Sequence, residues 1–259
     1  MSYVGDLFSL DGKVAAVIGG SGVLGGSMAL ALAKAGAKVA VVDVSTVGGE
    51  KHVQAIQKSD GEGMVVQADV SSKEDLKQAL DTIVARWEGL HILLYAPGVN
   101  SPTPVLEIPE SEWDKIMSVN LKGMFLASQV FGEFMIEQKE GGSIIIISSA
   151  SSIRPLSKVF TYSISKYGLN AMTRFLAREW APHDIRVNAI APGFFPAEQN
   201  RRILTKERTA DIFRHTPMGR FGEPEELSGA VVWLASEKAS SFVTGAIISV
   251  DGGFTAMTI

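Results

Sequence analysis

The chain has 259 residues, 46% of them hydrophobic and 20% charged, with a formal charge of −4. That composition excludes a disordered or fibrous chain, and the slight acidic balance leaves no basic footprint for a phosphate backbone, so no nucleic-acid partner is expected. Cysteine is absent, which removes disulfides, thiolate nucleophiles and sulfur-bound metals and suits a reducing compartment. The four histidines, His52, His91, His183 and His215, show no ligand spacing, and no metal is expected. Residues 1–6 lack a basic stretch leading into an apolar run, and solid apolar runs such as 144–147 are too short to span a bilayer. The expectation is a soluble, cytoplasmic protein with no membrane partner.

Short β-branched runs alternate with longer amphipathic stretches. The patterns predict strands at 13–19, 38–43, 63–68, 91–95, 143–148, 186–190 and 246–250, several of them apolar throughout, as in parallel strands covered on both faces. Helices are predicted at 23–35, 46–58, 73–87, 110–138, 159–181 and 224–236, with Ser71 and Glu74 as a capping box before the third. This alternation implies an α/β fold, a doubly wound parallel sheet of Rossmann type. No repeat or polar linker divides the chain, so residues 1–259 are expected to form one domain. The irregular stretch at about 193–222, with its basic piece 201–208, reads as a substrate-loop insertion or as a helical excursion packed on the surface.

The first strand runs into Gly19-Gly20-Ser21-Gly22-Val23-Leu24-Gly25-Gly26 and then a helix. Gly20, Gly22 and Gly25 satisfy the G-x-G-x-x-G spacing, in which glycines let backbone N–H groups and a helix N-terminus approach a pyrophosphate. Asp43, eighteen residues beyond Gly25, ends the second strand, where a carboxylate accepts from ribose hydroxyls and repels a 2′-phosphate. NAD(H) is therefore favoured over NADP(H). Asp69, after the third strand, is placed either to accept from the adenine amino group or to open a turn or cap a helix.

Tyr162 and Lys166 stand one helical turn apart on one face, where an ammonium stabilises a phenolate and lowers the phenol's pKa from about 10. Ser149 closes the fifth strand at the carboxyl end of the sheet, the side on which ligands collect in open α/β folds.

These residues resemble the short-chain dehydrogenase/reductase superfamily along essentially the whole chain. The glycine-rich turn, Asp69, Asn120, Ser149, Tyr162, Lys166, Asn188 and Pro192-Gly193 stand in the family's order and approximate spacing. The ending from Phe242-Val243-Thr244-Gly245 to Val250-Asp251-Gly252-Gly253 is similar too. The resemblance implies a single domain with about seven strands and hydride transfer between nicotinamide C4 and a carbinol or carbonyl carbon. It makes Tyr162 the general acid/base and Ser149 the group that orients and polarises the substrate oxygen. Lys166 then lowers the tyrosine pKa and holds the nicotinamide ribose, and Asn120 supports a water-linked proton path to Lys166. Cofactor contacts are implied at Gly19, Ser21, Gly22, Leu24, Gly25, Asp43, Asp69, Val70, Ala96, Gly98, Tyr162, Lys166, Pro192 and Gly193. The sequence departs from the family pattern at Ile18 and Ala197 (both threonine there), at Val23 (the middle glycine), and at Tyr95-Ala96-Pro97-Gly98, which replaces Asn-Asn-Ala-Gly.

Within the family, the run from His215 to Leu227, the segment Pro192-Gly193-Phe194-Phe195 and Glu198-Gln199-Asn200 are similar to D-mannonate oxidoreductase (fructuronate reductase)-like members. The implied substrate is a sugar acid or polyol, with Arg154, Gln199 and Asn200 as candidate contacts and a carboxylate–arginine pair as the expected recognition. Another keto-sugar, polyol or small carbonyl compound is the alternative substrate, and an inactive dinucleotide-binding scaffold is a further alternative. Apolar residues lie on more than one face of the helices carrying residues 120–138 and 159–181 (Phe125, Phe131, Phe134 and Met135; Leu169, Met172, Phe175, Leu176 and Trp180). They read as monomer core or as a partner surface, and the family's habit implies a homotetramer.

Overall fold

The computed structural model describes residues 2–196 and 204–257. Strands β1 (Val14–Ile18), β2 (Lys38–Asp43), β3 (Gly63–Gln67), β4 (Ile92–Tyr95), β5 (Gly142–Ile147), β6 (Ile185–Pro192) and β7 (Ile247–Val250) pair in parallel in the order β3-β2-β1-β4-β5-β6-β7. Every residue of β1, β4 and β6 is buried, which is why these strands show no polar alternation. Between the strands run α2 (Val23–Lys34), α3 (Thr46–Gln57), α4 (Lys73–Trp87), α5 (Glu110–Met117), α6 (Gly123–Gln138) and α7 (Phe160–Trp180). They are preceded by α1 (Tyr3–Leu7) and followed by α8 (Lys206–His215), α9 (Ser228–Ala235) and α10 (Glu237–Ser240). Met28, Leu32, Val53, Ile56, Val231 and Leu234 cover one face of the sheet. Leu76, Ile83, Phe131, Met135 and Leu169 cover the other. The result is the expected seven-stranded, single-domain Rossmann-type fold.

Local chemistry explains where the elements depart from the sequence patterns. The helix predicted at 110–138 is interrupted by a π-helical turn, Ser118–Lys122, between α5 and α6. A π turn inserts one residue without altering which residue types are apolar, so periodicity does not reveal it. The cap of α4 is Ser72, whose Oγ accepts from the Asp75 N–H at 3.2 Å. Ser71 instead donates its hydroxyl to Asp69 Oδ1 at 2.7 Å, so the capping box placed at Ser71 and Glu74 is one residue too early. The segment predicted as a helix from 224 opens as a 3₁₀ turn, Pro224–Leu227, with a capping box between Glu223 and Glu226. Strand β6 runs two residues past its predicted end because β7 pairs with it as far as Pro192 opposite Val250.

Most of the surplus apolar side chains enter the core. Phe131, Met135 and Leu169 are fully buried, and Phe134, Met172, Leu176 and Trp180 pack partly against them. Phe125 and Phe175 stay exposed, at 48% and 67%. Of the basic piece 201–208, residues 201–203 lie outside the described residues, and α8 begins at Lys206. Among the described residues no helix is long and apolar enough to cross a membrane.

Candidate active site

Strand β1 lies between β2 and β4, so the chain leaves it in opposite directions and opens a crevice at the carboxyl ends of β1 and β4. The glycine turn after β1 sits there. Gly19 has φ +76°, and a Cβ on it would lie 2.7 Å from the Pro97 nitrogen. A Cβ on Gly25 would overlap the Gly19 carbonyl oxygen, so close packing of α2 on the turn requires glycine at both positions. Gly22 differs: it is the N-cap of α2, and a Cβ there would meet only the Gly19 oxygen at an ordinary 3.5 Å. The literal G-x-G-x-x-G match therefore counts a glycine that sterics do not demand. Leu24 packs partly against the core, and Val23, in place of the family's middle glycine, is half exposed on the first turn of α2.

Asp43 anchors this turn. Its Oδ2 accepts from the Ser21 N–H and its Oδ1 from the Ser45 N–H, each at 3.1 Å, while Ser21 Oγ donates to the Ser45 carbonyl at 2.6 Å. Asp69 opens a turn: its Oδ1 accepts from the Ser71 N–H at 2.8 Å, and its own N–H donates to Asp75 Oδ2. Val70 is buried where a Cβ on Gly123 would strike it.

The second half of the crevice comes from β4, β5 and α7. Ser149 follows β5 and caps the short turn Ala150–Ser152, its Oγ accepting from the Ser151 N–H at 3.1 Å. Its side chain faces the Tyr162 phenol and favours the ionised form of that group. Lys166 is 2% exposed, and its Nζ lies 5.5 Å from the Tyr162 ring centroid. That ammonium donates to the carbonyls of Ile147 at 2.8 Å and Pro97 at 3.3 Å. Burial lowers Lys166 to about 7. Burial also raises the Tyr162 phenol, with the Ser149 side chain pulling it back down. In the protein alone, burial thus leaves the phenol above its ordinary value, opposite in direction to the lowering expected at Tyr162.

Gly98 joins the two halves, since a Cβ on it would point at Lys166 Nζ from 3.6 Å. Ala96 continues the β1–β4 ladder by donating to the Ile18 carbonyl at 2.9 Å. Pro97 has no N–H, yet its carbonyl receives the lysine, so the departure from the family's alanine leaves that carbonyl bonded. Asn120 sits in the π turn and pairs with Val99 like a strand: its Oδ1 accepts the Val99 N–H at 2.8 Å, and its Nδ2 donates to the Val99 carbonyl at 3.0 Å. The same Nδ2 reaches Ser165 Oγ at 3.0 Å. Its side chain thus pins the loop after β4 to α7. Pro192 ends β6, and a Cβ on Gly193 would lie 2.7 Å from the Asp251 Cα.

Of the candidate substrate contacts, Arg154 lies among the described residues. Arg154 is exposed, and its Nε donates to the Thr255 carbonyl at 3.3 Å, tying it to the C-terminal turn. Gln199 and Asn200, with Ala197, lie outside the described residues.

Two features escaped the sequence reading. Tyr95 is fully buried and donates to the Val119 carbonyl at 2.6 Å. Ser148, Ser152 and Asn170 form a buried polar cluster behind Ser149. The available signals were a tyrosine ending an apolar strand, whose hydroxyl must find a partner when buried, and an asparagine one turn beyond Lys166 on the same helix face.

The family profile described as enoyl-(acyl carrier protein) reductase matches residues 21–255. The chain belongs to the short-chain dehydrogenase/reductase family. It is 38% identical over 250 residues to the 2-dehydro-3-deoxy-D-gluconate 5-dehydrogenase of Escherichia coli (strain K12), covering 96% of this chain and 98% of that one. It is 34% identical over 249 residues to the 5-keto-D-gluconate 5-reductase of the same strain, covering 96% and 97%. The crystal structure of a gluconate 5-dehydrogenase from Burkholderia cenocepacia J2315, in complex with NADP and tartrate, superposes with a TM-score of 0.93 at 30% identity, covering 99% of this chain and 100% of that one. As a short-chain dehydrogenase/reductase, the protein is an oxidoreductase acting on CH–OH groups with a nicotinamide dinucleotide. The crevice fits that group. A helix N-terminus with unpaired first-turn N–H groups faces the glycine turn, and glycines stand wherever a side chain would close the approach between β1 and β4.

Proposed function

We propose that the protein interconverts a secondary alcohol and a ketone on a sugar acid or polyol, the D-mannonate/D-fructuronate pair included, with NAD(H) preferred. The observation that carries the reading is the convergence of Ser149, the Tyr162 phenol and Lys166 beside Gly98. A nicotinamide bound over that group supplies or accepts the hydride. In the reductive direction Ser149 and Tyr162 donate hydrogen bonds to the carbonyl oxygen and stabilise the charge that develops there. Tyr162 Oη then gives its proton to the forming alkoxide, a step that general acid catalysis speeds by roughly 10²–10⁴-fold. Lys166, held by the Ile147 and Pro97 carbonyls and lowered to about 7, exchanges protons readily near neutrality and restores the phenol. Asn120 serves by fixing the loop after β4.

The NAD(H) preference rests on Asp43. Its two backbone donors fix the carboxylate, and each oxygen keeps a lone pair for a ribose hydroxyl while opposing a 2′-phosphate. Val44 and Ser45 offer no cation beside it. The substrate class rests on the relatives' sugar-acid activities, and Arg154, Gln199 and Asn200 are assigned to it. Exposed Phe125 and Phe175 on α6 and α7 support assembly as a homotetramer. The test is NADH oxidation over D-fructuronate, 5-keto-D-gluconate and simple ketoses. Turnover of a sugar-derived keto-acid supports the reading, and cofactor binding without turnover across the panel rejects it in favour of a scaffold.

A further inference from the structure

We infer that Asn170 is a positioning residue for the reaction proposed above, holding Ser149 through Ser152 in register with the Tyr162 phenol. The residue lies one helical turn beyond Lys166 on α7, 5% exposed, with Ser148 and Ser152 at 2% and 3%. Ser148 Oγ lies 2.7 Å from Asn170 Oδ1, Asn170 Nδ2 lies 2.9 Å from Ser152 Oγ, and Ser152 Oγ lies 2.6 Å from the Ser149 carbonyl. Each hydroxyl has one proton, so a single directed chain satisfies all three contacts: Ser148 donates to Asn170, Asn170 to Ser152, and Ser152 to the Ser149 carbonyl. Ser148 Oγ also lies 3.3 Å from the carbonyl of Lys166.

The chain therefore grips the backbone on both sides of Ser149 and ties it to the helix that carries Tyr162 and Lys166. The Asn170 amide fills the central place by accepting on one side and donating on the other in a space closed to solvent. An apolar residue there would leave Ser148 Oγ with the Ser152 hydroxyl, 2.9 Å away, and the longer contact to the Lys166 carbonyl, but would remove the amide that ties Ser152 to α7, freeing the Ser149 turn to shift. Displacements of that size at a reacting centre cost up to roughly 100-fold in rate.

The experiment compares the wild type with Asn170→Ala and Ser152→Ala, each saturated with NAD⁺ and labelled with ¹³Cζ-tyrosine. The chain has only four tyrosines, so Tyr162→Phe identifies the resonance of residue 162. Weakening the Ser149–Tyr162 interaction should move the phenol's titration upward by about half a pH unit or more in both variants. In turnover with NADH and a keto-acid that the wild type reduces, kcat should fall roughly 10- to 100-fold with the NADH Kd unchanged. If Asn170→Ala does not fold, Ser152→Ala carries the same test. A wild-type midpoint in a folded variant overturns the inference, even if its melting temperature falls. Absence of wild-type turnover would count against the proposed reaction alone, because the titration is read without substrate.

Discussion

The hydroxyl of Tyr95, at the end of β4, donates at 2.6 Å to the carbonyl of Val119, inside the π turn that presents Asn120. Gly123 makes room for it, since a Cβ there would overlap the phenol oxygen. Burial raises the phenol far above its ordinary value, so it stays a donor at every working pH. Tyr95→Phe leaves a buried carbonyl without this donor and should cost about 1–3 kcal/mol, read by urea denaturation. An unchanged midpoint would show that the π turn holds without it.

The glycine turn should respond unevenly to alanine. Gly25→Ala drives a methyl into the Gly19 carbonyl and should weaken NADH binding by roughly tenfold or more, whereas Gly22→Ala should bind within about threefold of wild type. Fluorescence titration with NADH separates the two, and equal losses would contradict the steric account.

Lys166 makes the stability of the ligand-free protein depend on pH. The folded protein releases this proton near 7, while the unfolded chain holds it to about 10.4. Between those values the unfolded state binds more protons, so unfolding free energy should rise with pH across that window. Below about pH 7 both states are charged and this contribution is flat. Urea melts from pH 6.5 to 9.5 should show the slope in wild type and a smaller one in Lys166→Met.

Tyr162 sets the opposite dependences of the two directions. Its raised phenol stays protonated near neutrality, which suits carbonyl reduction, whereas alcohol oxidation needs the phenolate. Initial rates should climb with pH for oxidation and decline at alkaline pH for reduction. Parallel profiles in both directions would argue against a single acid/base group.

Cofactor choice should turn on Asp43. Asp43→Ala removes the carboxylate that opposes a 2′-phosphate and frees the N–H groups of Ser21 and Ser45, so the NADH-to-NADPH ratio of kcat/KM should fall about tenfold or more. A ratio that does not move would place cofactor selection elsewhere.

Elements governed by local pattern were the most legible in the sequence. The bounds of β2 and α4 agree residue for residue with the runs 38–43 and 73–87, because apolar periodicity and turn residues sit at their ends. The convergence of Ser149, Tyr162 and Lys166 was readable from helix spacing and from the rule that ligands gather at strand carboxyl ends. What escaped depends on three-dimensional neighbours. The π turn adds a residue without a compositional mark, and the demand for glycine at Gly19 comes from Pro97, 78 residues away. The sign of the Tyr162 shift depends on how deeply α7 buries it, which spacing alone does not encode.

The most direct measurement compares Tyr162→Phe with wild type in steady-state reduction of a keto-acid that the wild type turns over, alongside NADH affinity by fluorescence. The account predicts that kcat falls roughly 10²–10⁴-fold while the NADH Kd stays within about twofold. A variant that keeps more than about a tenth of wild-type kcat with intact NADH binding would contradict it, because the proton would then travel by another route.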